Sequence, residues 1–354
     1  MPGHSTTQSH DQTTHPDTPH PNPNEGREED IPAEVTRPNT QKNREKIPLV
    51  FDMETSDPDD FLTLLLLLGH PRADLRAVTI TPGTPAQVGL VRWALRQFSR
   101  EIPVGVHRLD AVGSRDISRP EEGSLSQEER DEQSRRAVSG WHYRAFGEIP
   151  PSSEAVPAGP LLARMCQEAV TLLTGAPLKN LGAAMQVPGF HVGRWVAQGG
   201  FAGEGVVPPH EQLEKFKGRR TCPTFNLNGD PKSALAALSF AGIRERYFVS
   251  KNVCHGVVYD AEMHARVGSV KEKSLSLSLI WKGMDAYLAR HSAGKAFHDP
   301  LAACCALDLS VGRWAEVELF RERGEWGARL SPGAGTQIIV GYDRARFVDL
   351  LCEF

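Results

Sequence analysis

Hydrophobic positions are distributed unevenly along the chain. Residues 1–45 contain almost nothing to bury: Ser, Thr, Asn, His and Pro alternate with the mixed-charge stretch Glu25–Asp30, and His4, His10, His15 and His20 are spread through them. Such a segment cannot bury enough apolar surface to offset the entropy of ordering, so a disordered tail is expected; a weak metal-binding histidine tract is the sharper alternative. From Lys46 the pattern changes. Ile47–Asp52 is a short apolar run that reads as a buried strand, and Pro58–Gly69 is a helix apolar on nearly every side. Leu75–Thr81 is a second strand, Pro85–Arg100 an amphipathic helix and Pro103–His107 a third strand. The βαβαβ order predicts a parallel sheet with helices on its faces.

Residues 109–157 break this rhythm with a polar, charged stretch that includes Glu121–Arg136, and are expected to form a lid or surface excursion. Alternation resumes with a strand at Ala169–Thr174, a helix from about Leu178 and a strand near Val192–Ala197. A second loop at 201–221 follows, then a helix from Pro231 and a strand at Tyr247–Ser250. A long helix is expected over about Glu272–Arg290 and another near Pro300; strands from about Trp314 and a helix at Ala345–Cys352 close the chain. No internal repeat is visible. The expectation is a polar tail at 1–45 and one large α/β domain at 46–354, a mostly parallel sheet flanked by helices.

Composition narrows the partners. Forty per cent hydrophobic and 24% charged residues in 354 exclude an all-disordered chain, and 32 Gly without a triplet period exclude collagen. The longest uninterrupted apolar run, Leu64–Leu68, is far below the roughly 18 residues of a membrane helix. A net charge of −4 gives no global attraction to a nucleic acid polymer or an anionic membrane, so whatever the protein binds, it binds locally. Six cysteines form no CxxC pair, and Cys304 and Cys305 are adjacent, so free thiols and a reducing, cytoplasmic compartment are expected.

The candidate chemistry lies at helix starts. Asp57-Pro58, Thr84-Pro85, Asp230-Pro231 and Asp299-Pro300 each pair a capping side chain with a proline suited to the first helical position. In a parallel α/β sheet such turns collect at the carboxyl edge, where ligands bind. Asp52, Glu54, Asp57, Asp59 and Asp60 place five carboxylates within nine residues at the end of the first strand. Capping and the helix dipole account for Asp57, Asp59 and Asp60 but not for Asp52 and Glu54. A hard divalent cation with oxygen ligands accounts for all five. Phe51–Thr55 alone would also suit the nucleophile strand of a haloacid-dehalogenase-like phosphatase. That alternative leaves His298-Asp299-Pro300 unexplained, together with the turns Thr174–Leu181, Gln198-Gly199-Gly200 and Phe225-Asn226-(x3)-Asp230-Pro231.

Taken in order from about Lys46, these motifs resemble the inosine–uridine-preferring nucleoside hydrolase family. Its members carry an Asp-x-Asp-(x3)-Asp-Asp opening, a G-P-L-T-N-like turn, a G-G turn, an E-F-N-(x3)-D-P segment and a late H-D-P. The resemblance implies a largely parallel α/β fold holding one Ca²⁺, cleavage of an N-glycosidic bond, a nucleoside-like substrate and a homo-oligomer. It implies a metal site from Asp52, Glu54, Asp60, Asp299 and the main-chain carbonyl of Lys179. Glu54 would also activate water, and His298 would protonate or orient the leaving base. Asp59, Asn180 and Asn226 would bind substrate, and His142 would line the base pocket.

Departures from the pattern bear on the substrate. The opening motif has one extra residue, so Glu54 and Asp57 both remain candidates for the base. Thr84 follows Gly83 where the family has an Asn, and Val206 and Thr224 stand where an Asn and a Glu hold the 5′ side of the sugar. About a dozen inserted residues carry Lys215, Lys217, Arg219 and Arg220, read either as a solvated loop or as a phosphate contact. His255 reads either as a packed residue or as part of the family's threonine–histidine segment. The expected function is Ca²⁺-dependent ribonucleoside hydrolysis. A hydrolase of a 5′-substituted N-riboside and a non-catalytic binding protein are the alternatives.

Overall fold

The computed structural model describes residues 46–107 and 137–354. The expected tail at 1–45, and residues 109–136 of the expected excursion, lie outside the described residues. The elements, in chain order, are β1 (Ile47–Met53), α1 (Pro58–Gly69), β2 (Ala73–Ile80), α2 (Pro85–Gln97), β3 (Val104–Val106), α3 (Gly140–Phe146), β4 (Val156–Pro157), α4 (Ala158–Met165), β5 (Thr171–Thr174), α5 (Lys179–Ala184) and β6 (Val192–Gln198). Then come β7 (Thr221–Cys222), α6 (Phe225–Gly229), α7 (Pro231–Ser239), β8 (Ile243–Val249), α8 (Lys251–Cys254), β9 (Val258–Tyr259), α9 (Ala261–Gly268) and α10 (Leu275–Leu288). The rest are β10 (Lys295–Ala296), α11 (His298–Leu307), β11 (Gly312–Glu322), β12 (Glu325–Leu330), β13 (Thr336–Tyr342) and α12 (Arg344–Leu351).

Eleven strands form one sheet in the order β4-β3-β2-β1-β5-β6-β8-β13-β11-β12-β7. Pairing is parallel from β4 to β13 and antiparallel from β13 to β7. The sheet is therefore mostly parallel, as the alternation of elements predicts. Its central strands are buried on both sides: Leu49, Val50, Phe51, Leu172 and Val196 are all inaccessible to solvent. The strand order reverses at β1. The chain builds outward through β2, β3 and β4, then returns to β1's other side with β5. This switch point opens a crevice at the carboxyl ends of β1 and β5, the usual ligand position in such sheets.

The all-apolar α1 is explained by its neighbours. It packs against both α10 and α11 and buries Phe61, Leu62 and Leu64–Leu68. Two helix starts behave as the sequence suggests: Thr84 and Gln87 form a reciprocal capping box, and Asp230 accepts from the Ser233 amide. Two do not. Asp57 makes no capping bond, and α11 begins at His298 with Phe297 at its cap, so Asp299 lies inside the first turn. The expected long helix at Glu272–Arg290 is a 3₁₀ turn (Lys271–Lys273) followed by α10, because Ser274 caps the Leu277 amide and restarts the helix. Residues 137–157 carry α3, whose Trp141 and His142 are buried, and residues 201–221 carry a 3₁₀ turn over Glu214–Phe216. All six cysteines are free and buried, and among the described residues no helix is long and apolar enough to cross a membrane.

Candidate active site

Two helix N-termini meet at the switch point. β1 ends at Met53, and the turn 54–57 feeds α1, whose first turn holds Asp59 and Asp60. α11 arrives from the other end of the chain and brings His298 and Asp299 in its own first turn. Unpaired amides and the positive ends of two dipoles converge there, which favours the burial of carboxylates. Asp59 bridges the helices directly. Its Oδ2 accepts from the amides of His298 (3.0 Å) and Asp299 (3.2 Å), capping α11 from another helix.

The cavity at this point has a volume of about 350 Å³. Glu54, Asp57, Asp59, Asp60 and Asp299 form its acidic wall. One oxygen from each of Asp59, Asp60 and Asp299 lies within 4.8 Å of the others. Burial, then the charge of Asp299, holds Asp60 well above the usual carboxylate range; burial and Asp59 do the same to Asp299. Glu54 is raised chiefly by burial, while its oxygens accept from the Ser56 hydroxyl at 2.7 Å and the Ser56 amide. Its own amide donates to Asp60 Oδ1 (3.1 Å).

These residues suit a hard cation. Asp299 Oδ1 is buried without a hydrogen-bond partner, and oxygen donors are the set that Ca²⁺ and Mg²⁺ take. Gly175, just beyond β5, keeps the space open: a Cβ there would lie 2.6 Å from Asp299 Oδ1 and 3.1 Å from Asp60 Oδ1.

A residue not singled out in the sequence completes the acidic wall. Lys295 Nζ donates to Asp57 Oδ1 (2.9 Å), Asp59 Oδ1 (3.1 Å) and the Ala296 carbonyl (2.7 Å), so all three ammonium protons are used. Burial alone would lower this lysine's pKa, but the Asp59 and Asp57 charges reverse the effect and hold it charged. A lone lysine between Gly294 and Ala296 carries no local motif, and its partner Asp59 lies 236 residues away.

Other expected residues lie elsewhere. Asp52 and Asn180 are fully buried and bonded to each other: Asp52 Oδ1 accepts from Asn180 Nδ2 (2.7 Å) and from the Thr79 hydroxyl (2.6 Å). Burial raises Asp52 to about 7. Lys179 opens α5, and neither it, Asp52 nor Asn180 lines the cavity. His142 is packed among Phe61 and Trp141, with Nδ1 2.8 Å from the Ser139 carbonyl, and is likewise absent from the lining. Asn226 does line it, with Nδ2 bonded to the Gln198 side chain (2.7 Å) and Oδ1 unpartnered.

The lining also has basic and aromatic members. His298 and His255 face each other with ring centroids 4.4 Å apart. Burial, followed by the charge of Lys295, lowers His298 to about 4. His255 falls to about 3 through burial and the neighbouring His298, Lys215, Lys251 and Lys295. Lys251 lines the cavity, and Lys215 Nζ lies 3.0 Å from His255 Nδ1. Of the four basic residues of the insertion, Lys217 pairs with Glu214 and Arg220 lines a separate depression with Phe320 and Glu322. Val206 lines another cavity.

Comparison with known proteins accords with this arrangement. The family described as inosine-uridine preferring nucleoside hydrolase matches residues 49–349. Among solved structures, a plant nucleoside hydrolase covers 86% of this chain and 98% of its own at 19% identity and a TM-score of 0.59. A purine-preferring ribonucleoside hydrolase from Gardnerella vaginalis covers 86% and 97% at 16% identity and a TM-score of 0.60. An inosine-uridine preferring nucleoside hydrolase from Bacillus anthracis covers 86% and 97% at 15% identity and a TM-score of 0.59. No curated protein sequence matches the chain.

Proposed function

The chain belongs to the inosine–uridine-preferring nucleoside hydrolase family, and from that premise we propose that it hydrolyses the N-glycosidic bond of a ribonucleoside with Ca²⁺ held by Asp60 and Asp299. The observation that carries this reading is the convergence of Asp59, Asp60 and Asp299 within 4.8 Å in one cavity, around the space that Gly175 leaves open. When bound, the cation would ligate the sugar hydroxyls and a water and lower that water's pKa.

Glu54 is the base. It lines the cavity, and its burial-raised pKa makes it a better proton acceptor than an ordinary carboxylate. Asp57, the other candidate, is neutralised by Lys295 at 2.9 Å. As the C1′–N bond breaks, positive charge develops on the sugar, and the acidic wall stabilises it. Asp59, fixed by Lys295 and two amides, orients a ribose hydroxyl, and Asn226 offers its free Oδ1 to a second. His298 is neutral at pH 7, so it aids the leaving base by donating a hydrogen bond as negative charge builds on the ring. Asp52 and Asn180 position the end of β1 from below the cavity.

Incubation with a panel of ribonucleosides, with and without chelator, tests the reading through release of free ribose and free base. Chelator-sensitive release that calcium restores is expected. Binding of nucleosides with no release of base in the presence of calcium would favour a non-catalytic protein on this scaffold.

A further inference from the structure

Two lysine ammonium groups stand beside the cavity without a carboxylate partner among the described residues. Lys251, at the start of α8, lines the cavity and donates to the Pro223 carbonyl (2.9 Å). Lys215, from the inserted loop, contacts the neutral His255. Both lie near one ring, that of Phe216, at 5.3 Å for Lys215 and 6.0 Å for Lys251. Each is held only by neutral acceptors and an aromatic face, although their like charges repel. Such a pair is stabilised by an anion between or beside it.

A buried hydroxyl lies next to them. Thr224 follows Pro223, lines the cavity, is 3% exposed, and its Oγ1 has no hydrogen-bond partner. The cavity lining thus includes, besides the carboxylates, the ammonium group of Lys251 and a buried hydroxyl, with Lys215 reaching its edge through His255. Cys254, His255 and His298 also lie within 4.8 Å of one another, a spacing that would suit a soft cation. The surroundings oppose it, because Lys215, Lys251 and Lys295 all bear on His255 and Lys215 Nζ occupies its Nδ1. These charges suit an anion that also reaches the buried Thr224 hydroxyl.

We propose that the substrate is a ribonucleoside phosphorylated on its 5′ oxygen, with Lys251, Thr224 and Lys215 receiving the phosphate. The inference rests on the N-glycosidase reading above. Carboxylates accept the 2′ and 3′ hydroxyls and would repel a phosphate there, which leaves the 5′ oxygen as the sugar position for it. The reaction balances as hydrolysis: water's oxygen bonds to C1′, the C1′–N pair leaves with the base, one of water's protons passes by way of Glu54 and solvent to the base nitrogen, and the other stays on the new C1′ hydroxyl. The products are ribose 5-phosphate and the free base.

The test compares kcat/KM for inosine 5′-monophosphate and inosine in the calcium-loaded full chain, its Lys251→Gln and Lys215→Gln variants and Thr224→Val. Equilibrium binding of ribose 5-phosphate and ribose is measured on the same proteins. The wild type is expected to favour the phosphorylated member of each pair by about ten- to a hundredfold, the worth of one or two charge-assisted contacts. Lys251→Gln should collapse that ratio, and Lys215→Gln should reduce it. Equal binding of ribose and ribose 5-phosphate, or a ratio indifferent to both lysine variants, overturns the proposal. So does tight Zn²⁺ binding abolished by Cys254→Ser. If no N-riboside is cleaved, the N-glycosidase reading fails, while the ribose 5-phosphate measurement still decides the anion site.

Discussion

At the scale of single residues, Lys295 makes the acidic wall two chemically different halves. It pairs with Asp57 and Asp59, while Asp60, Asp299 and Glu54 have no ammonium partner among the described residues. Lys295→Met should therefore have opposite effects on two measurements. Calcium affinity by titration calorimetry should rise, by about tenfold, because a nearby positive charge is removed. Turnover should fall, because Asp59 loses its anchor. Loss of both together would mean that Lys295 serves only to hold the fold. Gly175→Ala tests the cradle from the other side: its methyl group would press on Asp299 Oδ1, and calcium binding should weaken about tenfold or more with a small change in melting temperature. His298→Ala should reduce turnover of inosine by about 10²-fold or more, and of a nitrophenyl riboside far less, because that leaving group carries its negative charge without a hydrogen-bond donor. Equal losses on both substrates would make His298 a positioning residue. The carboxylates and His298 stand out in the sequence as local motifs. Lys295 and Lys251 do not, because their partners are tens to hundreds of residues away, and the burial of His142 depends in the same way on Phe61.

At the scale of elements, the site is the meeting of α1 and α11, and the meeting changes what each helix start does. The four Asp-Pro and Thr-Pro starts look alike in sequence. Thr84 and Asp230 close their caps locally, within three residues. Asp57 instead turns to Lys295, and α11 is capped by Asp59 across the interface. Thr84→Ala should thus cost about 1 kcal/mol, read as a lower denaturant midpoint, with kcat unaltered, because it removes a local cap outside the cavity. Asp59→Ala should destabilise α11 as well as impair activity, since it leaves two amides without their acceptor and removes one of the two carboxylates paired with the buried Lys295. A local-cap account of Asp59 predicts damage confined to α1; hydrogen exchange of the α11 amides separates the two.

At the scale of the molecule, the buried carboxylates link stability to pH and to the cation. Asp60, Asp299, Glu54, Asp57 and Asp52 all have folded pKa values above the ordinary range, with Asp52 near 7. The metal-free fold therefore binds more protons than the unfolded chain, whose aspartates titrate at about 3.9. The contribution of these groups is fully present below that value and is lost as pH rises through each folded value, about 7 for Asp52 and above the ordinary carboxylate range for the others. Calcium replaces the protons of Asp60 and Asp299, so its increment in melting temperature should grow as pH rises above about 4. An increment independent of pH would show that the carboxylates titrate normally. The parallel sheet, the buried α1 and the presence of a carboxylate site were legible in the chain because they arise from short-range periodicity and from charges clustered within nine residues. Three features needed the tertiary structure: the reversal of strand order at β1, the capping of α11 by Asp59, and the gathering of Lys251, Lys215 and Thr224 beside one cavity. Each is a contact between segments far apart in sequence, set by which helix faces and sheet edges pack together, and local pattern carries no information about that choice.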